Sequence, residues 1–259
     1  MRLPLNFGPA GSVFVVFREK AALQSEQIIS VTRGGEEILD VAMKSAASKS
    51  ADAFPLQLTR NPDGRIIAQG GPGGDYELKF ADGHTRPLKI AAAPAALEIT
   101  GSWEVSFPPD WGAPDKITFD QLTDWTKRSE AGIKYFSGKA TYRKTFEVSA
   151  SRPPGSALIL DLGQVNDLAV VRVNGHELAT LWHPPYRMDI ASAVKPGANT
   201  LEVDVVNTWH NRLAGDAALP ANQRHTSITA QTVKKNARLL PAGLLGPVRL
   251  WNPETTEIK

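Results

Sequence analysis

The sequence predicts an all-β protein of two parts, the second of which is a β-sandwich of the jelly-roll type. Short segments with period-two alternation recur along the chain; Thr141–Val148, for example, places Tyr142, Lys144, Phe146 and Val148 on one face. Gly and Pro, 21 and 19 of 259 residues, supply frequent turns between these segments. Helical periodicity is scarce, and one short helix is expected at Phe119–Thr126. Many short strands without intervening helices are typical of a sandwich.

The first part, residues 1–93, is predicted to be a small antiparallel β domain. Asn61-Pro-Asp-Gly64 and Asp82-Gly83 are turn signals, because Pro presets φ and Gly accepts positive φ. Ala91–Ala96 is small and contains Pro, which predicts a linker. The expected strands are Ser12–Phe17, Gln27–Thr32, Arg65–Gln69, Asp75–Phe80 and His84–Ile90.

The second part, residues 97–259, is predicted to hold the sandwich. Asn174-Gly175 between two apolar runs is a strong hairpin signal. In Thr200–Val206, alternation turns Leu201 and Val203 inward and Asp204 outward. The expected strands are Trp103–Phe107, Thr141–Val148, Ala157–Leu162, Leu168–Asn174, His176–Leu181, Thr200–Val206 and Gly246–Trp251.

Composition narrows the class of function. Lys and Arg total 29 against 27 Asp and Glu, and a net charge of +2 gives no argument for nucleic acid or an anionic membrane as partner. The absence of Cys excludes disulfides, thiol nucleophiles and cysteine-zinc sites. Met1–Pro9 does not have the pattern of a signal peptide, and the localisation stays open. We expect the chain to be a piece of a longer protein.

Two polar and aromatic segments, Trp182–Arg187 and Asn207–Asp216, are candidates for binding carbohydrate. Aromatic faces stack on the apolar side of a pyranose, while amide, guanidinium and carboxylate groups bond its hydroxyls. Both segments follow core strands and lie in loops, where binding groups are common. The candidate ligand-binding residues are Trp182, His183, Tyr186, Arg187, Asn207, Trp209, His210, Asn211, Arg212 and Asp216.

A purely structural role is the alternative for the Asn207–Asp216 segment. Trp209 could plug the end of the sandwich, Asn211 could bond loop carbonyls, and Asp216 could form a buried ion pair with Arg212.

Catalysis and metal binding have weaker signals. Glycoside hydrolysis normally needs two carboxyl groups roughly 5–10 Å apart, and no such pair is evident from the sequence. No organic cofactor is expected. A structural calcium ion is a possibility, because calcium takes oxygen ligands from loops, and Asp161, Asn166 and Asp167 are its candidate ligands.

Four segments carry a resemblance to a known family: Gly132–Tyr142, Val173–Gly175, Asn207–Asp216 and Leu239–Leu250. In this order they resemble the galactose-binding-like, sugar-binding β-sandwich of family 2-type glycoside hydrolases. The version most similar is at the C-terminal end of the bacterial α-L-rhamnosidases of family 106.

The resemblance implies a rhamnose- or galactose-containing glycan as ligand and a periplasmic or secreted parent protein. It also implies a catalytic barrel as a neighbour, which this sequence lacks, and the family's catalytic carboxylates belong to that barrel. A segment similar to Gly11–Arg18 closes the domain that follows the barrel, so residues 1–93 resemble the tail of a neighbouring domain.

The function expected is a non-catalytic, carbohydrate-binding and domain-packing portion of a rhamnosidase-like glycoside hydrolase. One alternative is a stand-alone glycosidase or esterase with its site around His183, His210 and Asp216, with Glu130 as a further candidate. The other is a purely structural module, whose exposed apolar patch would drive self-association.

Overall fold

The computed structural model describes residues 27–40, 56–61, 63, 65–92, 95–152, 155–228 and 233–258. Nineteen strands and two short helices are found in these ranges. In chain order the elements are β1 (Ile28–Arg33), β2 (Glu36–Asp40), β3 (Gln57–Arg60), β4 (Ile66–Gln69), β5 (Gly74–Phe80), β6 (Thr85–Ile90), β7 (Leu97–Glu98), β8 (Trp103–Ser106), β9 (Lys116–Phe119), α1 (Ala131–Lys134), β10 (Lys139–Val148), β11 (Ile159–Asp161), β12 (Gln164–Asn166), β13 (Leu168–Val173), β14 (His176–Leu181), β15 (Arg187–Asp189), β16 (Gly197–Val206), α2 (His210–Asp216), β17 (Gly243–Gly246), β18 (Arg249–Trp251) and β19 (Thr255–Ile258). The prediction of an all-β protein is therefore confirmed. Among the described residues, no helix has the length and apolar character needed to cross a membrane.

The chain divides into two compact units, residues 1–96 with 251–259 and residues 97–250. The C-terminal assignment differs from the sequence expectation, which placed residues up to 259 in the sandwich. Strand β19 pairs antiparallel with β4, and Glu257 accepts a 2.8 Å hydrogen bond from Arg65. A four-residue strand without its own turn signal gives no indication of a partner almost 190 positions earlier.

The first unit contains two antiparallel sheets, β2-β1-β5-β6 and β19-β4-β3. The hairpin of β5 and β6 is the one predicted from Asp82-Gly83, and alternate residues of β5 are buried. Leu78, Phe80 and Val31 are fully buried at the centre of this small core. The predicted strand Ser12–Phe17 lies outside the described residues.

The second unit contains a six-stranded sheet, β14-β13-β16-β10-β8-β9, and a four-stranded sheet, β15-β11-β18-β7. One apolar core joins side chains of both sheets, including Tyr142 and Val203 of the first and Leu160 and Leu250 of the second. The alternation predicted in β10 and β16 is what turns these side chains inward.

Strand register brings several loops to one end of the six-stranded sheet. Leu168 is opposite Val206, which is opposite Lys139, and Ser106 is opposite both Thr141 and Lys116. The segments that follow β14 and β16, precede β10, and join β8 to β9 therefore all lie at this end. We call it the loop end of the sandwich.

The helix predicted at Phe119–Thr126 is wrong. Phe119 ends strand β9, and only a single 3₁₀ turn follows at Trp125–Lys127. Asp124 caps that turn through Thr126 N at 2.9 Å and also accepts from Ala242 N at 3.1 Å. These contacts hold the segment against the core as an irregular loop.

Two other expectations in the sandwich change in detail. The strand predicted at Gly246–Trp251 is shorter than expected: β17 ends at Gly246 and β18 begins at Arg249, because Pro247 has no N–H for a ladder. Asp204 lies opposite the inward-facing residues of β16, as predicted, but it is only 3% exposed. Arg172 and Thr141 on the flanking strands cover it, donating to it at 2.9 and 2.6 Å.

A buried hydrogen-bond network ties β17 to the core. The Tyr142 hydroxyl oxygen accepts from Trp125 Nε1 at 2.6 Å and from Leu244 N at 3.2 Å. The Tyr142 side chain is fully buried, and burial raises the pKa of its hydroxyl above the ordinary value.

Replacing Tyr142 with Phe is expected to lower the free energy of unfolding by about 2–3 kcal/mol, because two buried N–H donors lose their acceptor. Tyr186→Phe is the control: its hydroxyl donates to the Asp167 carbonyl at 2.7 Å in a partly buried position. Tyr186→Phe should lower the free energy of unfolding by only about 1 kcal/mol. Urea unfolding followed by tryptophan fluorescence measures both, and equal losses would contradict the role given to the network.

Candidate functional site: an aromatic surface at the loop end

Three aromatic rings meet on the surface of the second unit. The Trp111 and Trp209 centroids lie 6.3 Å apart at an interplanar angle of 69°, and the His225 ring lies 6.3 Å from Trp111 at 16°. Trp209 is 62% exposed, which is unusual for so large an apolar side chain. We call Trp111, Trp209 and His225 the aromatic platform.

Backbone contacts hold Trp111 in place. It lies in the loop between β8 and β9, beside Gly112, which has a φ of +80°. A Cβ atom on Gly132 would lie 1.7 Å from the Gly112 carbonyl oxygen. The main chains at Gly112 and Gly132 are therefore in direct contact, which fixes the loop that carries Trp111 against helix α1.

Asparagine side chains fix the segment that carries Trp209. Asn207 donates to the Phe136 carbonyl at 3.0 Å and accepts from Gly138 N at 2.9 Å. Asn211 bonds both the carbonyl and the N–H of Leu240, at 2.7 and 2.8 Å. Both side-chain amides are therefore hydrogen-bonded to the main chain, and these bonds hold the segment that carries Trp209 in place.

A buried ion pair follows on helix α2. Arg212 Nε lies 3.1 Å from Asp216 Oδ1, at an angle that makes no hydrogen bond, and both residues are at most 4% exposed. Asp216 Oδ2 accepts from the Thr226 N–H at 2.7 Å and from its hydroxyl at 2.6 Å.

The environment of Asp216 lowers its pKa. Burial raises the pKa of this carboxyl, but the bonds from Thr226 and the charge of Arg212 outweigh burial and keep the pKa below its ordinary value. Asp216 thereby holds the segment next to His225, so it positions one ring of the platform.

The other predicted segment divides into an exposed and a buried half. Trp182 is 56% exposed, and its ring meets the edge of His183 at 4.7 Å and 86°. Tyr186 is 7% exposed, and Arg187 donates from Nε to Asp161 at 2.7 Å. Trp182 follows β14, so it lies at the loop end as well.

The structure therefore brings Trp209 together with two aromatic residues that the sequence reasoning did not select as ligand contacts. Trp111 is the second-last residue of the run Pro108-Pro-Asp-Trp-Gly112, and a Trp in a Pro- and Gly-rich loop could have been recognised as a surface aromatic. His225 had no comparable signal, because its contact with Trp111 spans 114 positions.

The other residues considered for catalysis have structural contacts. His210 Nε2 lies 2.9 Å from the Arg238 carbonyl, and His183 Nδ1 lies 2.8 Å from the Pro184 carbonyl. Glu130 accepts from Arg128 Nε at 3.1 Å, and the bonds from Arg128 lower its pKa.

Asp161, one of the three candidate calcium ligands, already has protein partners. Asp161 accepts from Arg187 Nε at 2.7 Å and from Gly163 N at 2.9 Å, so a guanidinium already neutralises it. Within the described ranges, no group of three or more His, Cys, Asp and Glu side chains could hold a metal ion. The assignment of calcium to Asp161, Asn166 and Asp167 stays a prediction, which the Arg187 contact disfavours.

Comparison with known proteins identifies the type of domain. Residues 122–239 match the family described as glycosyl hydrolase 2 galactose-binding domain-like. This region is therefore a glycoside hydrolase-related, galactose-binding-like domain, and the predicted fold class is confirmed.

Two longer proteins are similar over most of the chain. A protein of Formosa agariphila named "Putative beta-glucuronidase" is 34% identical over 248 residues, covering 86% of this chain and 21% of its own length. The solved structure of a rhamnosidase from Novosphingobium sp. PP1Y is 32% identical with a TM-score of 0.58, covering 80% of this chain and 24% of that chain. The chain thus spans between a fifth and a quarter of the length of these proteins.

Proposed function

We propose that the second unit is a non-catalytic carbohydrate-binding module of a larger glycoside hydrolase, and that the aromatic platform contacts the sugar. The observation that carries this proposal is the exposure of Trp209, 62%, within a cluster of three rings. Exposed aromatic residues of this kind usually mark a binding surface.

Preorganisation supports the proposal. Asn207 and Asn211 fix the main chain on both sides of Trp209, while Asp216 fixes the segment beside His225. A surface held in this way loses little conformational entropy when a ligand binds, which favours affinity. A tryptophan that only closed the sandwich would gain from being buried.

We further propose a rhamnose- or galactose-containing glycan as ligand and a rhamnosidase-like parent enzyme. The similarity to the Novosphingobium rhamnosidase over 80% of this chain supports this assignment. In such a parent the first unit would be the tail of a neighbouring domain, and the second would also pack against the catalytic part.

The test is isothermal titration against L-rhamnose, galactose and a rhamnogalacturonan oligosaccharide. Trp209→Ala is expected to weaken binding of the oligosaccharide at least tenfold, because aromatic contacts at the centre of a site commonly contribute about 2 kcal/mol. Trp182→Ala is the matched control, another exposed Trp at the loop end, and should keep near-normal affinity. If Trp182→Ala abolishes oligosaccharide binding and Trp209→Ala does not, the binding site lies at the Trp182–Arg187 segment instead.

Two other results would favour the alternatives. Turnover of aryl glycosides or aryl esters that is lost in Asp216→Asn would indicate a stand-alone hydrolase. No binding together with a concentration-dependent dimer in light scattering would indicate a structural module whose apolar surface associates with itself.

A further inference from the structure

A cavity adjoins the aromatic platform. It has a volume of about 340 Å³, and its lining includes His225, the platform ring that stacks on Trp111. Small-molecule sites have volumes of roughly 300–1,000 Å³, so this cavity suits one sugar unit or its substituents. His225 therefore belongs to both the aromatic platform and the lining of the cavity.

The charges of the lining favour an anion. Asp216 lines the cavity, but Arg212 balances its charge and Thr226 occupies its Oδ2 atom. Arg224 is an exposed residue of the lining, and its Nε donates to the Leu219 carbonyl at 3.1 Å. That bond orients the guanidinium and uses Nε only, which leaves the terminal nitrogens able to donate.

We propose that this cavity is a subsite for the carboxylate of an acidic sugar, with Arg224 as the residue that recognises it. This inference rests on the proposed function, because the platform must first hold the glycan. A guanidinium matches a carboxylate in charge and in planar, two-pronged geometry. Ser227, also in the lining, adds a hydroxyl that can donate to the same group.

The experiment compares a rhamnogalacturonan oligosaccharide with the same oligosaccharide after its carboxyl groups have been reduced to alcohols. The wild-type chain is expected to bind the acidic form about five- to tenfold more tightly, a modest factor because Arg224 is solvent-exposed. Arg224→Gln should weaken binding of the acidic form more than binding of the reduced form, and so bring the two affinities within twofold of each other. At 1 M salt the wild-type preference should shrink as well, since the Debye length falls to about 3 Å.

Lys195→Gln is the control for net charge. Lys195 lies at the opposite end of the six-stranded sheet, next to the start of β16, so this variant should keep the preference. A preference that survives Arg224→Gln overturns the subsite. If the wild-type chain binds the acidic and reduced oligosaccharides equally, and Trp209→Ala abolishes that binding, the subsite is overturned but the proposed function is supported. Failure of both forms to bind overturns both proposals.

Discussion

Gly132→Ala is expected to destabilise the second unit by about 3 kcal/mol or more, at the upper end of what overpacking usually costs. The added Cβ atom would lie 1.7 Å from the Gly112 carbonyl oxygen and 2.6 Å from Ala113 N. Both neighbours are main-chain atoms, which cannot rotate away as a flexible side chain can. The loop that carries Trp111 must therefore move, or helix α1 must detach from it.

The control for Gly132→Ala is Gly175→Ala. Gly175 has a φ of +80° in the hairpin turn, and an added Cβ atom there would have no neighbour within 4 Å. Gly175→Ala should therefore lower the free energy of unfolding through backbone strain alone, by about 1–2 kcal/mol. Urea unfolding by tryptophan fluorescence reports on the relevant unit, since Trp103, Trp111, Trp125, Trp182 and Trp209 all lie within it.

Gly132→Ala also makes a prediction about binding. If the variant remains folded at low temperature, its displaced Trp111 loop should weaken glycan binding, whereas Gly175→Ala should not. A Gly132→Ala variant as stable as Gly175→Ala would show that the contact between the two main chains is not tight in solution.

The sequence predicted the fold better where structure is local. The Asn174-Gly175 and Asp82-Gly83 hairpins follow from turn chemistry, and alternation in β10 and β16 identifies the core face. The helix expected at Phe119–Thr126 failed because bonds from Asp124 to Ala242, 118 positions away, determine that loop. The pairing of β19 with β4 is equally distant and has no local signal.

The candidate site shows the same limit. Residue types pointed to the Asn207–Asp216 segment, but they could not separate Trp209, which is exposed, from Asn211, which bonds the main chain at Leu240. That difference depends on where the 239–242 loop returns to the sheet. Trp111 and His225 are distant from Trp209 in the sequence and meet it only in the folded protein. Arg224 becomes a candidate binding residue only because it lines the cavity beside them.

Arg212→Met is expected to lower the free energy of unfolding at pH 7 by about 3–5 kcal/mol, because it leaves the Asp216 carboxylate buried without its counter-charge. Methionine has a similar length, so little packing is lost. Arg143→Met is the matched control: Arg143 bonds Glu202 at 2.8 Å on the outer face of the sheet, with its side chain 53% exposed. An exposed pair should contribute less than about 1 kcal/mol.

The pH dependence of the Arg212→Met defect tests its cause. Asp216 has a lowered pKa in the folded protein, so the stability it contributes is present above the pKa of the unfolded chain, about 3.9, and is lost as pH falls below it. In Arg212→Met the carboxyl loses a stabilising charge, its pKa rises, and protonation relieves the uncompensated charge at a higher pH than in the wild type. The stability difference between the two proteins should therefore be largest near pH 7 and become smaller toward pH 3. A difference that stays constant from pH 7 to pH 3 would mean that Arg212 acts through packing, and that Asp216 does not need it to hold the segment beside His225.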